Sequence, residues 1–183
     1  MATDVGEGGE RGGVTVYTVG HSNRGLEEFL GLLKAHGVET LIDIRKLPGS
    51  NKYPHFNQDE LAASLARAGI RYDYLKELGG RRKQSKDSKN TAWRNRSFRA
   101  YADHMETDEF RRGIDSLLGY AADGRVAVMC SEAVWWRCHR ALVADYLKAS
   151  GVAVCHIMGE AAAKPHRYTS AAKVVDNKLS YRG

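Results

Sequence analysis

The chain has 183 residues, of which 43% are hydrophobic, and a formal net charge of +6. This length suits one domain with a substantial core, and no run of residues approaches the roughly 20 apolar residues of a membrane span, so we expect no membrane association. Three cysteines at uneven spacing do not make a disulfide framework, which predicts a cytoplasmic protein.

Apolar periodicity predicts strands that alternate with helices behind a disordered leader, residues 1–13, which is rich in glycine and has almost nothing to bury. Strands are predicted over 14–19, 40–44, 71–75, 126–129 and 152–157, and helices over 26–35, 59–68, 98–105, 109–122 and 133–142. The first strand, helix and second strand imply a parallel pair joined by a right-handed crossover. Residues 161–183 show little periodicity. The predicted fold of residues 14–183 is a single α/β domain, a Rossmann-like three-layer sandwich with a mostly parallel sheet of about five strands.

Polar residues follow four of the predicted strands. They are His21 and Ser22, Asp43 and Arg45, Cys130 and Glu132, and His156. Each of these residues alone fits a structural role as well as a functional one, and Asp43 and Arg45 together fit a buried ion pair. Because the carboxyl ends of parallel strands meet at one edge, where open α/β sheets bind ligands, the coincidence favours a site there.

The stretch from Arg125 to Leu142 concentrates reactive side chains directly after a buried strand. It contains Cys130, Glu132, Arg137, Cys138, His139 and Arg140. In one interpretation, Glu132 and Asp43 form an acid/base pair of the kind that breaks glycosidic bonds, while Arg45, Arg137 or Arg140 holds an ionised partner or a phosphate.

In a second interpretation, Cys130 is a thiolate nucleophile, as in phosphatase and rhodanese loops. The spacing argues against a phosphatase loop, because six residues instead of five separate Cys130 from Arg137 and none of them is glycine. Glu132 inside the loop would also repel an anion. On a helix, the neighbouring side chains of Cys138 and His139 would point about 100° apart, so both cannot easily bind one metal ion. We therefore expect no metal ion, and nothing in the sequence indicates another cofactor.

The segment from Lys76 to Arg99 is strongly basic. It holds nine cations against Glu77 and Asp87, with Trp93 among them. Cations interleaved with a ring that can stack on a base are typical of a nucleic-acid contact, although a solvated loop has the same composition. The candidate contacts are Arg81, Arg82, Lys83, Trp93, Arg94 and Arg96. Tyr53 and His55, in the preceding loop, would cover an extruded base or close the core.

These motifs, in this order, resemble the DUF488 family of small bacterial and archaeal proteins over residues 16–166. The resemblance rests on TVGHS (18–22), DIRKLPGS (43–50), YLKELGG (74–80), CSE (130–132) and CHR (138–140), with His156 and His166 after the last strand. The family's function is unknown, and its members often carry a loose DNA-repair label.

The matched polar positions are therefore expected to form a site. The expected catalytic residues are Glu132, Asp43 and Cys130. The expected substrate-binding residues are His21, Ser22, Arg45, Tyr53, His55, Arg137, Cys138, His139, Arg140, His156 and His166.

The favoured function is an enzyme that acts on nucleic acid, most simply DNA, as an N-glycosylase that removes a damaged or modified base. One alternative is a thiol-dependent phosphatase- or sulfurtransferase-like enzyme that uses Cys130. The other is a nucleic-acid-binding protein without catalysis.

Overall fold

A six-stranded sheet forms the centre of the structure, a computed structural model that describes residues 13–49 and 52–183. Its strand order is β3-β2-β4-β1-β5-β6. The strands are β1 (Thr15–Gly20), β2 (Thr40–Asp43), β3 (Arg71–Tyr74), β4 (Val126–Cys130), β5 (Ala153–His156) and β6 (Lys164–Pro165). Apart from Gly13, the predicted leader lies outside the described residues.

The first five strands run parallel and the two-residue β6 runs antiparallel to β5. The predicted pair of β1 and β2 is parallel, but β4 lies between them and pairs with both. In register, Gly20 faces Cys130 and Asp43 faces Met129, so the carboxyl ends of these three strands lie side by side.

Helices cover both faces of the sheet. They are α1 (Leu26–Ala35), α2 (Gln58–Arg67), α3 (Arg96–His104), α4 (Asp108–Asp123) and α5 (Arg140–Ala149). Side chains alternate along β4, so Val126 and Val128 pack with α3, α4 and α5, while Ala127 and Met129 pack with α1 and α2. The predicted three-layer α/β sandwich is confirmed. None of the described helices is long and apolar enough to cross a bilayer.

The chain after β4 differs from the prediction. A helix was expected from residue 133, but the structure has a loop with one 3-10 turn (Trp135–Arg137), and α5 begins only at Arg140. The backbone carbonyls of Ser131 and Glu132 are the reason, because they accept hydrogen bonds from the Ser22 N–H and the Arg140 guanidinium instead of entering a helix.

The segment from 161 to 183 contains structure that periodicity did not reveal. Besides β6, it forms a hairpin of β7 (Lys173–Val175) and β8 (Lys178–Ser180). Asp176 and Asn177 link the two strands, and both have positive φ, which suits the tight turn of a two-residue hairpin.

Candidate active site at the carboxyl ends of the parallel strands

A cleft of about 1020 Å³ opens where β1, β2 and β4 end. The predicted residues that line it are His21, Ser22, Arg45, Tyr53, Arg81, Cys130, Glu132, Arg137, Cys138 and His139. Residues far apart in the sequence thus meet at one edge of the sheet. Two of them, Ser22 and Arg81, have positive φ, a backbone conformation that is costly for side chains other than glycine.

Two cysteines lie against each other at the base of this cleft. The Sγ atoms of Cys130 and Cys138 are 3.0 Å apart, and the side chains are 2% and 7% exposed. Burial and the hydrogen bond to Cys138 raise the pKa of Cys130 well above its ordinary value. Cys130 therefore stays a thiol and can donate its proton to the other sulfur.

Cys138 has the opposite protonation. Burial raises its pKa, but the hydrogen bond from Cys130 and the charge and hydrogen bonds of Arg140 outweigh burial and lower the pKa to about 6. The backbone N–H of Arg140, which opens α5, donates to Cys138 Sγ at 3.3 Å, so the helix N-terminus adds to the stabilisation. Cys138 is thus a thiolate at neutral pH.

Arg140 is fully buried, and its contacts add to the stabilisation of the charge on Cys138. Its Nε donates to Cys138 Sγ (3.3 Å), one terminal nitrogen to Thr18 Oγ1 (3.2 Å) and the other to the Glu132 carbonyl (2.8 Å). No carboxylate of the described residues pairs with it, in contrast to Arg45. A buried guanidinium is costly without an anion, and the Cys138 thiolate is the anion in contact with it.

The loop from Ser131 to His139 is held against β1 by a glycine. A Cβ atom on Gly20 would lie 1.6 Å from the Glu132 carbonyl oxygen, so only glycine lets this carbonyl approach and accept the Arg140 hydrogen bond. The Glu132 side chain points outward, is exposed and lines the cleft.

Asp43 and Arg45 form a buried ion pair beside the cysteines. Arg45 Nε and Nη2 donate to the two Asp43 oxygens at 2.9 and 2.7 Å, and Tyr72 donates a further hydrogen bond at 2.7 Å. Asp43 is fully buried and does not line the cleft. This environment suits a fixed carboxylate that orients Arg45 better than a group that exchanges a proton with a substrate.

Two neutral histidines line the cleft. Burial lowers the pKa of both His21 and His139 to about 4. His21 stacks on Phe56 with its ring centroid 4.2 Å away, and its Nε2 lies 3.4 Å from Arg45 Nη1. His139 donates through Nε2 to the Ile44 carbonyl at 2.8 Å. Both rings are fixed by the protein and present uncharged surfaces to a ligand.

A model of the domain of unknown function DUF488 matches residues 25–147, about two thirds of the chain. The chain belongs to the DUF488 family. The comparison with curated proteins found no match, and neither did the comparison with solved structures.

Two histidines that the DUF488 resemblance assigned to substrate binding lie elsewhere. His156 and His166 are buried, do not line the cleft, and lie on the other side of Arg140 from it. His55 is also engaged within the protein, since its Nε2 donates to the Arg24 carbonyl at 2.8 Å.

The basic segment of this DUF488 protein divides into inward and outward residues. Trp93 is half-buried and packs between Phe98 and Tyr181, with ring centroids 5.0 and 5.5 Å away. Arg82 donates to the Lys76 and Gly79 carbonyls and pairs with Glu109. The exposed cations of the predicted set are Arg81, which lines the cleft, and Lys83, Arg94 and Arg96.

Sequence reasoning missed two buried polar residues behind the cleft, Thr18 and Asp145. Thr18 lies within the apolar run of β1, and Asp145 is an acid on the buried face of α5. A lone carboxylate among Ala, Leu and Val at helical spacing was the available signal, because buried charges are rarely left without a purpose.

Proposed function

We propose that this protein is a thiol-dependent enzyme that acts on an anionic substrate, with Cys138 as the nucleophile. The observation that carries the proposal is the fully buried Arg140 guanidinium with Cys138 Sγ at 3.3 Å and no described carboxylate to neutralise it. Sequence reasoning placed the nucleophile at Cys130, but a buried thiol of raised pKa is the poorer nucleophile of the two.

The second sulfur favours dithiol chemistry. A thiolate of lowered pKa at a helix N-terminus beside a thiol of raised pKa is the arrangement that dithiol oxidoreductases use. Cys138 attacks one sulfur of a disulfide, forms a mixed disulfide and expels a thiolate. Cys130, 3.0 Å away, then loses its proton to solvent and attacks Cys138 Sγ, which releases the second thiolate and leaves a Cys130–Cys138 disulfide. Two molecules of an external low-molecular-weight thiol reduce that disulfide for the next cycle and leave joined as a disulfide.

The charge of the cleft supports an anionic substrate. Beyond Arg45, which Asp43 neutralises, the described lining carries Lys46, Lys52, Arg81 and Arg137 against the single carboxylate of Glu132. Such an excess raises the local concentration of anions and binds carboxylate or phosphate groups.

The stoichiometry of reaction with dithiobis-nitrobenzoate, an aromatic disulfide that carries two carboxylates, tests this proposal. We expect wild type at about pH 6.5, below the ordinary thiol pKa, to release two thiolates per cleft and to end with a Cys130–Cys138 disulfide. Cys130→Ser should release one thiolate and keep the mixed disulfide on Cys138, as measured by absorbance and by the mass of the tryptic peptide.

Cys155→Ser is the matched control, because Cys155 is half-buried on β5 and lies outside the cleft. This variant should react like wild type. If Cys138→Ser reacts as fast as wild type at this pH, the proposed nucleophile is wrong.

Base excision is the second candidate, and the position of Glu132 favours it. Glu132 is an exposed carboxylate in a cationic cleft, and Arg94 and Arg96 are further exposed cations of the basic segment, whose Ser97 and Phe98 line the same cleft. In this proposal the partner is nucleic acid, most simply DNA, whose phosphates contact the exposed cations, while Glu132 alone supplies the general acid or base. Asp43 has no part, because it is buried and paired.

Incubation with duplex and single-stranded oligonucleotides that bear modified bases, followed by alkali, tests base excision. We expect strand breaks with wild type and none with Glu132→Gln, and an Arg94→Glu, Arg96→Glu double variant should bind more weakly, with a shallower dependence on salt. Glu160→Gln, outside the cleft, is the control and should behave like wild type. Bound oligonucleotides that show no breaks would contradict base excision.

A further inference from the structure

A chain of buried side chains runs from Arg140 away from the cleft. Arg140 donates to Thr18 Oγ1, which lies 2.6 Å from His156 Nδ1. His156 Nε2 lies 2.8 Å from His166 Nδ1, and His166 Nε2 lies 2.8 Å from Asp145 Oδ1. The chain thus connects residues from β1, β5, the loop after β6, and α5.

This hydrogen-bonded chain is enclosed by the protein, and its far end is the Asp145 carboxylate. Each of its five members is at most 2% exposed, and the Trp135 ring stacks on His156 with a centroid distance of 4.4 Å. Asp145 also accepts from the Thr169 N–H, the Thr169 hydroxyl and the Tyr181 hydroxyl. Both Asp145 oxygens therefore act as acceptors, for four donors in all.

The positions of the protons along this hydrogen-bonded chain follow from its two ends, Arg140 and Asp145. Burial, together with the neighbouring His166 and Arg140, lowers the pKa of His156 to about 3, so that ring is neutral. One assignment gives every group a partner: Thr18 donates to His156 Nδ1, His156 donates through Nε2 to His166 Nδ1, and His166 donates through Nε2 to Asp145. Each hydrogen bond then points from the Arg140 guanidinium towards the Asp145 carboxylate, and the chain is polarised along its whole length.

Arg140 connects this hydrogen-bonded chain to the cleft, because it contacts both Thr18 and Cys138. The guanidinium has a planar arrangement of donors, so the positions of Thr18 and the Glu132 carbonyl determine where its Nε points. Nε points at Cys138 Sγ. A loss of the Thr18 contact would let the guanidinium rotate away from the sulfur.

We propose that Asp145, His166, His156 and Thr18 are positioning residues that hold the Arg140 guanidinium against Cys138 Sγ and thereby keep Cys138 a thiolate. This inference rests on the proposed function. Other groups that face Cys138 are Cys130 from β4, His139 before α5 and Tyr101 from α3. His139 and Tyr101 are uncharged at neutral pH, because burial lowers the pKa of the histidine and raises that of the tyrosine. Arg140 therefore supplies the positive charge next to Cys138, and the hydrogen-bonded chain fixes the position of that charge.

The rate of iodoacetamide alkylation of Cys138, followed against pH by the mass of its peptide, tests this proposal. Thr18→Val keeps the shape of the side chain and removes the hydroxyl. We expect its rate at about pH 6.5 to fall about threefold, which is the change for a rise of one unit from a pKa of about 6, with the plateau at high pH unchanged. Thr18→Ser restores the hydroxyl and should stay within about twofold of wild type.

Asp145→Asn changes the far end of the chain and should lower the rate in the same direction by several-fold. Asp103→Asn is the control, since Asp103 accepts hydrogen bonds from Ser88 and Asn90 in a separate network. It removes a comparable carboxylate and should leave the alkylation profile unchanged. The unfolding midpoint of each variant shows whether it is folded.

The outcomes separate this inference from the proposed function. If wild-type Cys138 titrates at the ordinary thiol pKa, the proposed function fails. If wild type titrates near 6 and folded Thr18→Val and Asp145→Asn titrate at the same pH, the chain only stabilises the fold and the inference is overturned.

Discussion

Replacement of Arg140 by methionine is expected to slow alkylation of Cys138 about a hundredfold at about pH 6.5. Methionine has a similar length but no charge, so the pKa of Cys138 should return from about 6 towards or above the ordinary thiol value near 8.5. Burial, which Arg140 and the hydrogen bond from Cys130 together outweigh, would then have the larger effect. The rate at high pH, where the sulfur is ionised in both proteins, should change far less.

Arg137→Met is the matched control, because Arg137 is an exposed cation that lines the same cleft. Arg137→Met removes one positive charge from the cleft but no contact with the Cys138 sulfur. The midpoint of the pH profile of alkylation should therefore shift by only a small fraction of the shift in Arg140→Met. Equal shifts in the two variants would show that the field of the cleft, and not the contact with Arg140, ionises Cys138.

The second large effect is expected on stability. Asp43→Ala should lower the free energy of unfolding by about 3–5 kcal/mol, because it leaves the buried Arg45 without its carboxylate and the Tyr72 hydroxyl without its acceptor. Urea denaturation measures the change.

Glu28→Ala is the comparison, since Glu28 is 62% exposed and pairs with Arg24 on the surface of α1. Its effect should be below about 1 kcal/mol. An Asp43→Ala protein as stable as wild type would contradict a structural role for the ion pair and return Asp43 to consideration as a catalytic group.

Much of the fold follows from local patterns. The β-branched run of β1 and the apolar run of β4 are ordinary strand signals, and α1 and α4 carry one apolar face each. The polar residues at the ends of four strands were predicted to meet because parallel strands end at one edge. His21, Arg45 and Cys130 do meet there, whereas His156, on β5, does not line the cleft.

The protonation of the two cysteines did not follow from the sequence. It depends on which sulfur contacts Arg140, and that depends on an irregular loop whose path is set by contacts with β1, above all the close approach at Gly20. Helical spacing predicted that Cys138 and His139 lie on a helix with their side chains pointing in different directions, whereas both residues precede α5 and line the cleft. Burial of His156 and His166 likewise depends on tertiary contacts, here with Trp135 and Asp145.

The Arg140 contact also bears on the redox potential of the Cys130–Cys138 couple. Oxidation removes the thiolate and leaves the buried guanidinium without its anion, so the contact stabilises the reduced pair selectively. A disulfide between these two cysteines is therefore more oxidising than one between ordinary thiols. In the catalytic cycle proposed above, this difference favours the return of the disulfide to the dithiol form by an external thiol.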